Sequence, residues 1–503
     1  MKQSATKLSI WEKCGYSAGD AAASFVFLTM ILFQANFYTD VVGLTATTAA
    51  TILLAARLWD AVADPIVGVL ADRTRTRWGK FRPWILWTTI PWCLSMVFAY
   101  SAPSGWSTSA VIIYATVTNM LLMSIYSMNN VPYSALGAVL TADVDERAKL
   151  NTFRFIAVNL SQFVAGGLTL PLVAKLSAQH DRQYGWRMTM TIWAAICLVL
   201  FLITFFTTRE RVPSQRLSGS VRQDFRALLR SSPWTVMFLV TLVHFCILSF
   251  RGGALYNYYH HYADKQAMFD WTGRLGLTAA DGPAGESSIW RVLETLGYVV
   301  HVRNGDFLHS NVADVFNSII NVTNTIVTII VLLLAPAICR RFGKRTVLLT
   351  GFSLAALGTL AFGTLQPRDA DGMFWWTVLI AACYAPTIPA LWAMYADVAD
   401  YAEWFTGRCC TGMTFATLGF ALKIGLALGS SGFLWIMAGL FQYSTAAPDA
   451  PLAMEGFRWC SSLGVGSLFV FCTLLLFKCK LNKRLTLHIA RELDQRRTLP
   501  AGA

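Results

Sequence analysis

Apolar residues in this chain fall in blocks of roughly 20 or more, the length that crosses a bilayer as a helix. The blocks are parted by short polar stretches. They predict twelve spans at about residues 15–38, 45–71, 83–102, 109–140, 151–175, 188–208, 234–262, 312–338, 346–366, 374–396, 410–442 and 455–478. Gly and aromatic residues run through the blocks, as membrane helices tolerate. Of 503 residues, 55% are hydrophobic and only 14% charged, too little charge to coat a soluble domain of this size. The expected class is an all-α membrane protein.

The net charge of +13 raises the question of nucleic acid. The basic residues, however, sit in alternate loops: Arg73 to Arg82 between spans two and three, Arg209 to Arg230 between six and seven, Arg340 to Arg345 between eight and nine, and Lys478 to Arg484 in the tail. Opposite loops, such as Ala102 to Ser107, are poor in Lys and Arg. That alternation is the positive-inside bias, so both termini are expected in the cytoplasm, with no nucleic-acid partner. No cleavable signal is expected in the polar N-terminus. The eleven Cys are scattered without metal-site spacing and read as small buried hydrophobes.

The chain also echoes itself. Trp78-Gly79-Lys80 after span two returns as Phe342-Gly343-Lys344 after span eight, and Ala142-Asp143-Val144 after span four as Ala396-Asp397-Val398 after span ten. Pro132 and Pro386 stand at the same distance before those Asp residues. The repeat predicts two six-helix bundles, 1–208 and 234–478, with a middle loop at 209–233 and a cytoplasmic tail at 479–503. That is the plan of the major-facilitator fold, with substrate bound between the halves. Residues 263–310 interrupt it as an external insertion, expected to form a small cap or hairpin, or a passive loop.

Charges inside the bilayer cost about 2.5–3.5 kcal/mol each on insertion scales and so mark candidate sites. Span two holds Arg57, Asp60 and Asp64, the two acids on one helix face. Two carboxylates so close favour a shared proton or cation. Structural pairing with Arg57 or another helix is the plain alternative. Lys423 is the lone charge deep in span eleven and implies a carboxylate partner, with Asp60 or Asp64 the natural choice. Asn129 and Asn130 precede Pro132, which frees backbone carbonyls, and offer amides for ligation, for a sugar hydroxyl or for helix packing. Arg154 could fork onto a hydroxyl pair or a carboxylate, or serve as a loop-side charge. His244 and Arg251 are weaker candidates, and Trp392 and Tyr384 offer aromatic faces for a sugar ring.

These residues resemble the glycoside–pentoside–hexuronide:cation symporter family, over nearly the whole chain apart from the insertion. The resemblance rests on the run from Arg57 through Asp60, Asp64 and Pro65 to Gly68, continued from Asp72 to Pro83; on Asn130 to Leu136 with Glu146-Arg147; on Asp397 to Glu403; and on Phe37 to Leu44 and Arg251-Gly252-Gly253. It implies uptake of a sugar with a proton or sodium and no other cofactor. It places cation binding and coupling at Asp60, Asp64, Asn130 and Lys423; the two Asp residues would be a metal site only if the ion is sodium. It implies substrate contacts from Arg154, Asn130, Trp392, Ser24 and Asp20. The family's first-span sugar aspartate aligns with Ser24 rather than Asp20, and Asn130 and Ser134 replace an aspartate and a tryptophan. A galactoside therefore does not carry over. Arg154 with few opposing carboxylates tilts the reading toward an acidic sugar such as a hexuronide, and Ala63 in place of an asparagine tilts it toward protons. Asp72, Arg77, Asp143, Arg147, Asp397 and Arg408 are expected to form charge pairs of a cytoplasmic gate. The resemblance also implies a bacterial inner membrane, and a monomer is assumed.

A lysophospholipid symporter of the same fold is the alternative cargo reading, and a non-transporting receptor a further one. No His-rich box, nucleophile elbow or metal spacing supports an enzyme.

Overall fold

The computed structural model describes residues 8–103, 105–141, 144–178, 180–211, 228–229, 231–278, 288–301, 310–406, 411–444, 447 and 450–498. Every predicted block is helical. The first half comprises α1 (Ile10–Leu32), α2 (Ala46–Arg73), α3 (Arg82–Ala99), α4 (Thr108–Leu140), α5 (Val144–Ser177) and α6 (Arg182–Thr207). The second comprises α7 (Ser232–Asn257), α8 (Val312–Phe342), α9 (Lys344–Phe362), α10 (Ala370–Thr406, broken near Pro386), α11 (Thr411–Gly439) and α12 (Pro451–Phe477). Ten of these are long and apolar enough to cross a membrane by length and composition. The other two are α2, with charges in its middle, and α3. Among the described residues there are no strands, only two isolated bridges. The insertion contributes two short helices, Lys265–Arg274 and Ser288–Thr295. A helix at Lys483–Thr498 follows α12.

The packing shows the repeat as a symmetry. In the first half α1 packs on α5, α2 on α4 and α3 on α6; in the second, α7 packs on α11, α8 on α10 and α9 on α12. Across the halves, α2 meets α11 and α5 meets α8, which are equivalent contacts under the repeat, while α1 meets α7. Gly79 and Gly343, the centres of the repeated motif, both take positive φ, +114° and +89°, which explains why Gly recurs there. Beside Gly79, Glu210 accepts from the backbone N–H groups of Lys80, Phe81 and Arg82, capping the start of α3. A further echo escaped the sequence reading: Asn36-Phe37-Tyr38 and Asn257-Tyr258-Tyr259 each lead into a π-turn, Phe37–Val41 after α1 and Tyr258–Tyr262 after α7.

Small residues set the tightest helix contact. A side chain at Gly425 or Gly429 would meet the carbonyl oxygens of Leu242 and Cys246 at 2.2 and 2.3 Å, so α11 lies directly on the backbone of α7. Gly432, on the same helix, faces open space. Gly429→Leu should lower the thermal unfolding midpoint in detergent by several degrees, overpacking being worth about 1–3 kcal/mol or more, while Gly432→Ala should leave it unchanged. Equal midpoints for the two variants would rule out this close approach.

Candidate functional site

The helices α2 and α11 bring three charges together where the halves meet. Lys423 Nζ lies 2.9 Å from Asp60 Oδ2 and forms a second, shorter contact with Asp64 Oδ2. Residues four apart on α2 share a face, which is why one ammonium reaches both. Asp60 is sealed in, its side chain 2% exposed, whereas Asp64 is 32% exposed and Lys423 17%. Ser127 Oγ on α4 donates to Asp60 Oδ1 at 2.6 Å, and one turn away Trp59 Nε1 donates to Ser124 Oγ at 2.7 Å. Asp64 Oδ1, though buried, has no hydrogen-bond partner among the described residues. Arg57, one turn before Asp60 on α2, also lies within electrostatic reach of it, so the two acids face two basic groups, and one carboxylate oxygen is left over. It can accept a further cation or proton.

Ser127 was missed by the sequence reading. The available signal was the spacing of Ser124 and Ser127, two small hydroxyls one turn apart facing an acid-bearing helix.

A second pair lies between α1 and α5. Arg154 Nε donates to Asp20 Oδ2 at 2.5 Å, and the guanidinium lies 5.8 Å from the centre of the Tyr133 ring. Tyr133 in turn stacks on Tyr16 at 4.7 Å and donates from its hydroxyl to the Tyr16 carbonyl. Arg154 is thus matched by a carboxylate, which removes the ground for reading an acidic sugar from it. Ser24 Oγ donates to the Asp20 carbonyl of its own helix at 2.8 Å. Asn130 Nδ2 makes only a long contact, 3.5 Å, to the Tyr126 hydroxyl, while Asn129 is tied to Thr88 at 2.8 Å in helix packing. Trp392 on α10 meets Tyr395 edge-on and stays about two-fifths exposed. His244 is buried, 3.0 Å from the Tyr384 hydroxyl.

Of the gate residues, Asp143 and Arg408 lie outside the described residues, as do the side chains of Asp72 and Arg147. Arg77 is exposed, with its guanidinium over the Trp78 ring. Asp397 pairs with Lys344 at 2.7 Å, within its own half. Other ion pairs on this basic face also join parts of one half: Arg211 with Glu12, and Lys13 with Glu146. Lys13 and Lys149 hold the Glu146 carboxyl down at about 2.

The opposite face is bolted across the halves. Arg182 at the start of α6 lies 3.1 Å from Asp314 on α8, which also takes a 2.9 Å contact from His260 Nε2. Tyr443 donates to Asp40 Oδ1 at 3.2 Å. Lys175 donates to the carbonyls of Glu294 and Thr295, and Tyr298 donates to the Gly167 carbonyl at 2.7 Å, so the insertion belongs to this seal.

The MFS/sugar transport protein family matches residues 15–280 and 289–483. A putative glycoside/cation symporter, YagG, of Escherichia coli is 33% identical over 89% of this chain and 86% of its own. The inner membrane symporter YicJ of the same organism is 31% identical over 86% and 83%. Among solved structures, the xylose transporter XylE in a partially occluded inward-open state superposes with a TM-score of 0.57 at 11% identity, covering 95% of this chain and 99% of that one. The chain is a major-facilitator membrane transporter rather than an enzyme, and it belongs to the glycoside–pentoside–hexuronide:cation symporter family.

Stripping one partner from a partly buried pair strands the other's charge. Asp20→Asn or Arg154→Gln alone should destabilise the protein by about 1–3 kcal/mol, discounted for the pair's partial exposure, and the double variant by less than their sum. Thermal unfolding in detergent reads this; silent single variants would show that the pair is not structural.

Proposed function

We propose that this chain carries a sugar or glycoside together with one cation, by alternating access between its two six-helix halves. The observation behind it is the cluster of Asp60, Asp64 and Lys423: an internal ammonium bridges two carboxylates contributed by the other half, and Asp64 Oδ1 is left without a hydrogen-bond partner among the described residues. An arriving cation competes with Lys423 for the same oxygens and weakens a bond between the halves. The relatives' names favour sugar over the lipid alternative: they include a glucuronide carrier protein homologue of Escherichia coli, and an isoprimeverose transporter of Lactiplantibacillus pentosus. The basic face is read as cytoplasmic, in a bacterial inner membrane. The conformation described is then closed outside. One copy of the chain encloses the whole cluster and is read as the transporting unit.

The coupling ion is read as a proton. Sodium prefers several oxygen ligands, whereas a proton needs one. Asn130, on α4 with Ser127, is kept as a further candidate ligand for the ion or the sugar.

In de-energised cells, an accepted sugar should make the medium more alkaline as protons enter with it. A sodium-electrode signal in place of the pH change would assign Asp60 and Asp64 to a metal ion. Asp64→Asn should keep sugar exchange while steady-state accumulation falls by about tenfold or more. Normal accumulation in that variant would place coupling elsewhere.

A further inference from the structure

Beneath the seal lies a second polar site that the coupling cluster does not use. A pocket of about 100 Å³ is lined by Leu32 and Phe33 from the first half and by residues of α7, α8, α10 and α12 from the second. Its polar lining is Arg251, Asn317, Asn321, Asn324 and the tyrosines Tyr256, Tyr259 and Tyr384. Among the described residues no Asp or Glu lines it. Arg251 is half-buried and, among the described residues, makes no ion pair or hydrogen bond. A guanidinium facing a polar pocket without a counter-charge is costly, and it calls for an anion.

The neighbours fit that ligand. Asn317, Asn321 and Asn324 line one flank of α8, three and four residues apart. Asn324 Oδ1 is buried without a partner, and the contact between Asn321 Nδ2 and Asn317 Oδ1 is long, 3.4 Å. These amides are therefore free to meet hydroxyls. In the register that aligns Trp78-Gly79-Lys80 with Phe342-Gly343-Lys344, Asn324 stands at the repeat position of Asp60, and Asn321 at that of Arg57. The second half thus has an amide where the first has an acid, and the one acid of α8, Asp314, is engaged by Arg182 and His260. Arg57 on α2 lies within electrostatic reach of Asp60 and does not line this pocket.

The pocket is also placed where an incoming ligand would pass. Asn317 lies one turn from Asp314, and Tyr256, which lines the pocket, also takes a 3.4 Å contact from Arg182 of the seal. At its present size it is too small for a pyranose, since ligand pockets run to about 300 Å³ or more, so the ligand must enter with the seal parted.

We infer that Arg251, with the amides of Asn317, Asn321 and Asn324, is an anion subsite that selects sugars bearing a fixed negative group, a carboxylate or a sulfonate. The inference rests on the sugar-symport reading and narrows its substrate class. Arg251 grips the acid group bidentately, and the amides hold the ring hydroxyls.

The test uses the full-length protein in proteoliposomes with an imposed proton or sodium gradient. The probes are methyl β-D-glucuronide, 6-deoxy-6-sulfoglucose and the neutral methyl β-D-glucoside. Wild type should take one or both anionic sugars in preference to the glucoside by about 10-fold or more, and whichever anion wins tells carboxylate from sulfonate. Arg251→Gln should remove that preference, with Arg251→Lys intermediate because it keeps the charge and loses the fork. Should Arg251→Gln fail to fold, the wild-type melting temperature in detergent decides instead, since it should rise with the anionic sugars and not with the glucoside. Uptake of the glucoside equal to that of the anions, or an anion preference unchanged in Arg251→Gln, overturns the anion subsite and leaves sugar symport standing. Failure to move any of these sugars, or any other sugar, under either gradient overturns both readings.

Discussion

An ammonium from one half of this protein is held by two carboxylates of the other. In a low-dielectric setting such a cluster cannot lose or gain a charge without a compensating change, because a single unmatched charge costs several kcal/mol. Lys423 therefore does two jobs at once. It keeps Asp60 and Asp64 tolerable in the membrane, and it ties α11 to α2 at the interface between the halves. Ser127 fixes which Asp60 oxygen is left for the lysine, and the close approach of α11 to α7 through Gly425 and Gly429 sets how far the lysine reaches. Helix packing and electrostatics cannot be separated here.

The other two charged sites read differently against that cluster. The Asp20–Arg154 pair is matched, and Tyr133 and Tyr16 brace it within the first half. The Arg251 pocket is unmatched and lies in the second half beneath the seal. Matched charges hold shape, and unmatched ones wait for a ligand. On the readings proposed above, Asp64 is the open position for a cation and Arg251 the open position for an anion. They sit on different helices, so each can be altered without touching the other.

Much of the fold was legible because membrane spans must satisfy their backbone internally and show themselves as long apolar blocks. The insertion was legible only as an interruption; its two helices and its bonds to Gly167 and Lys175 depend on partners far away in sequence. The partner of Lys423 could be inferred, since a lone buried lysine needs an acid and span two offered two. That Asp20 would claim Arg154 could not be read, because the choice turns on how α1 and α5 are rotated against each other. Arg251 was visible as a charge in a span, but its lack of a partner is a property of the packed structure. The equivalence of Gly79 and Gly343 was visible as a motif and acquires its reason only from their positive φ.

Of the three π-turns among the described residues, one lies within α12 at Cys460–Gly464, and the other two sit at equivalent places in the halves, after α1 and after α7. Each contains one residue more than an α-turn requires, and single π-turns recur at functional sites in helices. Shedding that surplus residue rotates whatever lies beyond it by about 100°, the angle of one helical step. Asp40 lies within the first turn and His260 within the second, and both are partners in the seal, to Tyr443 and Asp314. A register slip at either turn would swing its side chain off its partner while the helix body stays in place. By geometry, a local screw motion at either turn is enough to part that one contact.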